Sequence, residues 1–213
     1  MKRFCIALAL VVAACQQPTP EDLRAYYEAE GDRLEEATKN VRLAYTFEDF
    51  IANPEYRQTR DMWRGGALNE YAPRNSRVEI LLEVQRGRLY INDEIAMDFP
   101  ICSGRFGGQE TPKGSFRISQ KVKEYRSNRY GSFMSKDGKR VVERNISVND
   151  TPPAGAVFEG ADMPYWMRFN GAIGLHVGNV HRHSASHGCV RVPEEACSIL
   201  FEKLAVGSAV IVK

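Results

Sequence analysis

Hydrophobic and polar residues alternate along Val78–Val84, and this period of two predicts a half-buried β-strand. Short segments of similar character follow, separated by Gly, Pro, Asn or Asp. The further strand candidates are Leu89–Ile91, Ile95–Cys102, Ser115–Val122, Arg140–Ser147, Tyr165–Asn170, Ala172–His176 and Ser208–Val212. Many short strands divided by turn residues favour a mainly β fold, either a β-sandwich or a partly closed barrel.

One helix is predicted near the C-terminus. It begins at Pro193, with Glu194 and Glu195 in its first turn, and ends before Gly207. Its apolar positions share one face; they are Ala196, Ile199, Leu200 and Leu204. A single helix against several strands agrees with a β-sandwich that carries one C-terminal helix.

Residues 19–75 have a different pattern and predict a helical N-terminal extension. Thr19 suits an N-cap, Pro20 the first helical position, and apolar residues then recur at roughly helical spacing as far as Val41. Residues 45–75 are polar and are broken by Pro and Gly, which predicts short helices and loops. The main domain is expected over residues 77–213.

The first residues resemble an export signal. Lys2 and Arg3 precede an uncharged run over residues 4–14, which is shorter than the ~20 residues that span a bilayer. The run ends in Val-Ala-Ala before Cys15, and this ending resembles a bacterial lipobox. The interpretation is a signal peptide over residues 1–14, a lipid on Cys15 and a tether over residues 15–18. The alternatives are an ordinary signal peptide or a buried apolar segment.

The position after Cys15 is Gln16, not the Asp that resembles an inner-membrane retention signal. The resemblance therefore implies a lipid-anchored protein on the periplasmic face of the envelope, at the outer membrane. Two or more acyl chains anchor a soluble domain stably.

Charge excludes one class of partner. The whole chain has 29 basic and 27 acidic residues, and the leader would remove Lys2 and Arg3, leaving a neutral chain. Nucleic-acid binders usually carry a basic excess. No nucleic-acid partner is expected.

The domain would retain three cysteines, Cys102, Cys189 and Cys197. An odd number in an oxidising compartment predicts at least one free thiol. Cys102 and Cys197 either form a disulfide or are two buried, unpaired residues, and the sequence leaves both alternatives open.

All four histidines lie between residues 176 and 187, just before Cys189. A cysteine thiol has an ordinary pKa near 8.5, so only about 3% is thiolate at pH 7. A neighbouring imidazolium lowers that pKa, and Gly188 lets the backbone turn and present N–H groups to an oxyanion. The cluster therefore predicts a cysteine nucleophile for acyl transfer.

Two histidines are candidates for the base. His187 lies two residues from Cys189, and side chains two apart in an extended chain share a face. His176 lies thirteen residues away and reaches the thiol only if the intervening loop folds back. Spacing favours His187 but does not settle the choice.

Three ordered motifs resemble the YkuD-like family of L,D-transpeptidases. The first is His176, a loop, and then Ser186-His187-Gly188-Cys189. The second is a Thr-Pro-x-Gly-x-Phe stretch over residues 111–116, and the third is the Met-Pro-Tyr-Trp segment over residues 163–166. The resemblance covers about residues 77–213 and implies a β-sandwich.

The resemblance also implies roles for these residues. Cys189 would be the nucleophile and His176 the base, with its other ring nitrogen oriented by the Val177 carbonyl. His187 and Gly188 would belong to the substrate-side and oxyanion part of the motif. Peptidoglycan would be the substrate, and no metal or organic cofactor would be needed.

The implied reaction is thioester formation with a tetrapeptide stem, release of D-alanine, and transfer to an amine. The amine would belong to a second stem, giving a 3→3 cross-link, or to a protein that becomes attached to the wall. A cysteine carboxypeptidase or endopeptidase of the same architecture is the first alternative. A non-catalytic wall-binding lipoprotein is the second, although this chain keeps both Cys189 and His176.

The remaining residues near the site allow more than one interpretation. Arg191 is either a surface residue or a binder of a substrate carboxylate. Ser186 either contacts substrate or holds the turn through its hydroxyl, and Tyr165 either packs in the core or lines the cleft. His181 and His183 are expected to be solvated loop residues, because the spacings match no common zinc site.

Overall fold

The computed structural model describes residues 21, 24, 28–29, 32–33, 47–70 and 74–213 of the 213-residue chain. The chain divides into two compact units, residues 1–54 and 55–213. The predicted leader, Cys15 and most of the predicted first helix lie outside the described residues. In the helices that the structure does describe, none is long and apolar enough to cross a membrane.

The first unit is helical at its described positions between residues 21 and 33. Arg24 donates from Nε to Glu28 Oε1 at 3.1 Å, the one-turn contact of residues four apart on a helix. Helix α1 (Phe47–Ala52) follows, with two acids in its first turn.

The second unit begins with a 3₁₀ turn (Tyr56–Gln58), strand β1 (Met62–Trp63) and the short helix α2 (Gly65–Asn69). The remaining strands, in chain order, are β2 (Ser76–Leu81), β3 (Arg86–Ile91), β4 (Glu94–Pro100), β5 (Gly114–Arg117), β6 (Gln120–Val122), β7 (Arg126–Ser135), β8 (Val141–Ser147), β9 (Ala156–Asp162), β10 (Trp166–Asn170), β11 (Ile173–Val177), β12 (Val190–Val192) and β13 (Ala209–Val212). Helix α3 (Glu194–Lys203) lies between the last two strands.

In the described part of the chain the strands form three open sheets. The first has the order β1-β4-β3-β2-β13-β5, the second β12-β11-β10-β6, and the third β8-β7-β9. The predicted mainly β fold with one C-terminal helix is confirmed, and the sheets remain open with no closed barrel among the described strands.

The segment predicted as one strand over Ser115–Val122 is two strands in different sheets. The chain leaves the first sheet at Ile118, whose N–H bonds to the Ser208 carbonyl at 3.0 Å. The next residue, Ser119, donates to the Arg168 carbonyl of the second sheet at 2.8 Å. The side chain of Ile118 is buried where the chain passes from the first sheet to the second. The apolar pattern of the sequence therefore continues across the point at which the hydrogen-bonding partner strand changes.

The core lies between apolar side chains of the first two sheets and helix α3. Ala196 and Leu200 of α3 are fully buried, as the predicted apolar face requires. Cys102 and Cys197 are buried free thiols, so these two cysteines are unpaired.

A buried charge network joins the start of this unit to the first sheet. Arg86 and Asp98 are fully buried and form an ion pair with a shortest N···O distance of 2.6 Å. Asp98 also accepts from Arg88 at 2.9 Å and from the Tyr56 hydroxyl at 2.7 Å. Arg86 donates as well to the Thr59 carbonyl at 2.8 Å. These contacts hold residues 56–60 against strands β3 and β4.

Candidate active site

Parallel strands bring the predicted nucleophile and base together. Strand β11 pairs with β12 in a register that sets His176 opposite Arg191. Cys189 immediately precedes β12, so the loop after β11 folds back on itself, as a role for His176 requires. Arg191 is fixed from its other side, because its N–H donates to the Cys102 carbonyl at 2.9 Å.

Backbone hydrogen bonds fix both ends of the loop over residues 178–187. At its start, the N–H of Gly178 donates to the Val192 carbonyl at 3.2 Å. At its end, the N–H groups of Ala185 and Ser186 both donate to the Ser103 carbonyl, each at 3.0 Å. The loop is therefore closed at its base by neighbouring strands.

His176 is an oriented, buried and neutral imidazole. Its side chain is 7% exposed, and its Nδ1 lies 2.7 Å from the Val177 carbonyl oxygen. A carbonyl oxygen only accepts hydrogen bonds, so Nδ1 carries the proton and Nε2 has a free lone pair. Burial lowers the pKa of His176 to about 4; the Val177 bond opposes this shift and the charge of Arg191 adds to it. The ring is therefore a proton acceptor at neutral pH.

Cys189 is a half-buried thiol that lies over the start of β11. Its Sγ donates to the Ala172 carbonyl at 3.7 Å. Burial raises the pKa of Cys189, against the lowering effects of a hydrogen bond from the Gly174 backbone and of the charges of Arg191 and Arg168. This differs from the expectation of a thiolate stabilised by imidazolium, because desolvation outweighs the two arginine charges at the thiol, and the imidazole is desolvated beside Arg191 with no carboxylate to stabilise its charged form. Thiol and imidazole are both neutral at pH 7.

The turn before Cys189 is held by the Ser186 hydroxyl. Ser186 Oγ accepts from the Gly188 N–H at 3.1 Å and donates to the Cys189 carbonyl at 2.5 Å. Ser186 is only 1% exposed, which favours the turn-holding interpretation over direct contact with a substrate. Gly188 has a φ of +112°, a conformation that only glycine adopts without strain.

His187 points to the third sheet. Its ring stacks on Tyr130 of β7, with centroids 4.4 Å apart and planes at 22°. Burial lowers the pKa of His187, and the charges of Arg105 and Arg191 add to the shift. This packing gives His187 a place on the wall of the site, while His176 lies on the strand that the thiol contacts.

These groups line a cleft of about 650 Å³ between the second and third sheets. His176, Cys189 and Arg191 lie on one side, and Tyr130 and Arg144 lie on the other. Arg191 is half-buried, and no carboxylate pairs with it in the described part of the chain. Its guanidinium can therefore receive an anion from solution.

Tyr165 lies elsewhere, and this corrects the expectation that its hydroxyl lines the cleft. Its ring packs edge-on against Phe201 of α3, with centroids 5.5 Å apart, at the border of the core. The residue has a φ of +56° where the chain enters β10, which turns the side chain toward the helix. The tyrosines that line the cleft are Tyr125 and Tyr130.

His181 and His183 are exposed, as expected for solvated loop residues, with His181 at the rim of the cleft. No group of three or more His, Cys, Asp or Glu side chains is placed to hold a metal ion among the residues that the structure describes.

The sequence assigns Thr111 to the second motif but gives it no role in the site, yet its side chain reaches the site. Thr111 Oγ1 donates to the Gly188 carbonyl at 2.8 Å, across 77 positions of the chain. Spacing gives no sign of so distant a contact. The sequence feature that could have pointed to Thr111 is its position as the first residue of the second motif. Tyr130 was missed as well, because the segment around it does not alternate.

Comparison with known proteins agrees with this geometry. The family model for the L,D-transpeptidase catalytic domain, YkuD, matches residues 75–212. No curated protein matches the chain. The L,D-transpeptidase from Mycobacterium smegmatis is similar in structure, with 16% identity, a TM-score of 0.50, and coverage of 65% of this chain and 58% of that one.

A second solved structure, the L,D-transpeptidase from Stackebrandtia nassauensis, is 22% identical with a TM-score of 0.48. The match covers 67% of this chain and 57% of that one. The chain thus spans less than two thirds of the length of either structure.

Proposed function

We propose that this chain, which belongs to the YkuD family of L,D-transpeptidase catalytic domains, is a cysteine acyltransferase that acts on the peptide stems of peptidoglycan. One observation carries the proposal: a half-buried Cys189 thiol, immediately before strand β12, and an oriented, neutral His176 on the adjoining parallel strand β11 line one open cleft. Nucleophile, base and orienting group are the parts that thiol acyl transfer needs.

In the first half-reaction, His176 Nε2 takes the thiol proton while Cys189 Sγ attacks the carbonyl of the third stem residue. The negative charge on the carbonyl oxygen is stabilised by the backbone N–H of Cys189, since the Gly188 N–H is bonded to the Ser186 hydroxyl. One such donor contributes ~3–4 kcal/mol to the transition state. His176 then returns the proton to the nitrogen of the departing D-alanine, the C–N bond breaks, and a thioester remains.

A neutral starting pair fits this sequence of proton transfers. A base whose pKa is about 4 takes a thiol proton only as the sulfur–carbon bond forms. The proton and the attack are thus coupled, and the thiol is protected from solvent oxidants until substrate is bound.

In the second half-reaction an amine attacks the thioester and its proton passes to His176. The C–S bond then breaks, and His176 gives that proton to the departing sulfur, which restores the Cys189 thiol and the neutral imidazole. A stem amine gives a 3→3 cross-link, a protein lysine gives wall attachment, and water gives a hydrolase. Arg191 lies opposite His176 on the neighbouring strand. The planar guanidinium of Arg191 suits a carboxylate of the incoming stem. No metal or organic cofactor takes part in these steps.

The place of action that we propose is the cell envelope. The lipobox-like ending before Cys15 would give a lipid-anchored protein on the periplasmic face, at the outer membrane. Metabolic labelling with a clickable fatty acid tests this: the parent is expected to be tagged and Cys15→Ser untagged. Equal labelling of the two proteins would refute the anchor.

The test of the activity is mass spectrometry of products from purified enzyme and a defined tetrapeptide stem. Cross-linked dimer is expected to exceed tripeptide at millimolar substrate, and Cys189→Ser is expected to give neither. Arg191→Ala is expected to lower the dimer-to-tripeptide ratio. The matched control is Arg140→Ala, because Arg140 is exposed and lies outside the cleft lining. Tripeptide as sole product at every concentration would assign a carboxypeptidase instead.

A further inference from the structure

We infer that Thr111 is a positioning residue that aims the Cys189 N–H at the developing oxyanion. The inference rests on the proposed function, because it concerns the carbonyl that Cys189 attacks. Thr111 lies in the segment between β4 and β5, is 3% exposed, and has no direct access to substrate. Any effect it has on the reaction must therefore pass through the backbone that it holds.

The hydroxyl of Thr111 bridges two loops. Oγ1 accepts from the Gly104 N–H at 2.9 Å and donates to the Gly188 carbonyl at 2.8 Å. The loop around Gly104 is itself tied to the turn, since Arg105 N–H donates to the Ser186 carbonyl at 3.0 Å. Thr111 thus uses both its donor and one acceptor lone pair to lock these segments.

Close backbone approach makes this lock rigid. A Cβ placed on Gly104 would lie 2.0 Å from the Gln109 carbonyl oxygen, 2.7 Å from the Thr111 nitrogen and 2.8 Å from the Gly188 Cα. Three backbone segments therefore meet at one residue that has no side chain. The peptide planes around Gly188 have little room to rotate.

The direction of the Cys189 N–H follows from this arrangement. The peptide bond between Gly188 and Cys189 is trans and planar, so its C=O and N–H point in opposite directions. Thr111 fixes the C=O toward the buried loops, which turns the N–H away from them. Ser186 holds the Gly188 N–H and the Cys189 carbonyl, so two buried hydroxyls bind three of the four backbone polar groups of these residues.

Two reactions of the same thiol separate positioning from thiol activation. Acetylation by p-nitrophenyl acetate forms the Sγ–C bond, breaks the ester C–O bond and passes through an oxyanion. Alkylation by iodoacetamide displaces iodide from carbon and forms no oxyanion. The ratio of the two rates at Cys189, mapped by mass spectrometry, therefore reports on oxyanion stabilisation alone.

Thr111→Val keeps the shape and removes the hydroxyl. We expect its acetylation rate to fall about 100-fold, because misplacement on the scale of 1 Å has an effect of that order. Its alkylation rate should match that of the parent. Thr111→Ser should restore the parental ratio, and Thr111→Ala should reproduce the loss even where the valine variant fails to fold.

The matched control is Thr59→Val, which removes a hydroxyl bond of 2.7 Å to the Tyr56 carbonyl outside the cleft lining and should leave the ratio unchanged. An unchanged ratio in both Thr111→Val and Thr111→Ala would overturn the inference and leave the proposed function intact. So would an equal fall of both rates in these variants. Absence of acetyl-Cys189 in the parent would refute the proposed function, and the inference with it.

Discussion

Two buried polar clusters in the same unit have opposite electrostatics. Around Asp98, two arginines and a tyrosine hydroxyl surround one carboxylate, and every contact is 2.9 Å or shorter. Around Cys189, the thiol and the His176 ring are buried with backbone groups for partners and only arginines for charged neighbours. In the first cluster the carboxylate is paired with two guanidinium groups, and in the second neither the thiol nor the imidazole has a carboxylate beside it.

The difference shows what burial does with and without a counter-charge. Burial raises the pKa of Tyr56, and its bond to Asp98 adds to the shift, so the hydroxyl remains a donor and completes the shell of the carboxylate. In the cleft the same desolvation moves the thiol and imidazole pKa values apart and leaves a neutral, reactive pair. The Asp98 network, in which the carboxylate is fully paired, stabilises the structure. The thiol and imidazole of the cleft have no such partner and remain able to react.

The largest expected effect comes from removing the nucleophile. Cys189→Ser should lower turnover on the order of ten thousandfold while the unfolding free energy stays close to that of the parent, because the hydroxyl is a far weaker nucleophile beside this base. Product formation and urea unfolding give the two readouts. Cys102→Ala and Cys197→Ala are the controls and should stay active; activity of Cys189→Ser within tenfold of the parent would contradict the cysteine mechanism.

Breaking the saturated cluster should have its effect on stability instead. Asp98→Asn leaves buried arginine charge without its partner and should lower the free energy of unfolding by about 3–5 kcal/mol. The matched control is Glu159→Gln, which opens the exposed ion pair with Arg126 and should have a far smaller effect, because solvent screens the attraction between exposed charges. Equal losses in these two variants, measured by urea unfolding, would show that the Asp98 network is no more than a surface pair.

The neutral histidine predicts a pH dependence of stability. The pKa of His176 is about 4 in the fold and near 6.5 when unfolded, so the unfolded chain binds more protons between these values. Stability from this residue is present above pH 6.5 and is lost as pH falls toward 4, by about 3 kcal/mol in total.

The difference between parent and His176→Gln isolates this contribution from that of the carboxylates. Urea unfolding at pH 7 and pH 4 should show a smaller loss in the variant. His183→Gln, at an exposed position, should behave as the parent. Identical pH dependence in all three proteins would contradict a buried, neutral His176.

The smallest effect concerns the thiol itself. Since burial raises the pKa of Cys189 above that of an ordinary thiol, the rate of iodoacetamide labelling should still be rising at pH 9. Arg191→Ala should move the midpoint higher, because the charge that favours the thiolate is gone. Cys197 serves as the internal control, since burial raises its pKa to about 12 and it should remain unlabelled. A plateau reached by pH 7 would restore the thiolate–imidazolium pair.

Local patterns in the sequence anticipated the features that local physics decides. The period-two segment became β2, the apolar face of α3 is buried, and the cluster of histidines before Cys189 marked the cleft. Contacts between residues close in sequence can be predicted, because their spacing along a helix or strand determines which side chains share a face. The register of β11 on β12, which sets His176 opposite Arg191, is a tertiary property that sequence spacing does not reveal.

The misses have tertiary causes as well. Strands β7 and β9 went unrecognised because few of their residues are buried: only Gly131 and Phe133 in β7 and none in β9, so no alternation of apolar and polar residues marks them. The sequence spacing places a histidine near the thiol and so suggested an imidazolium. It does not show how far burial removes water from the thiol and from the histidine ring. The contact of Thr111 with Gly188 joins distant segments, and no periodicity predicts it.

The loop over residues 178–187 has a consequence for how such enzymes diversify. Its ends are tied to Val192 and to the Ser103 carbonyl, so residues added or deleted between them would leave strands β11 and β12 in register. Such changes would reshape the rim of the cleft, to which His181 belongs, without moving the strands that form its wall.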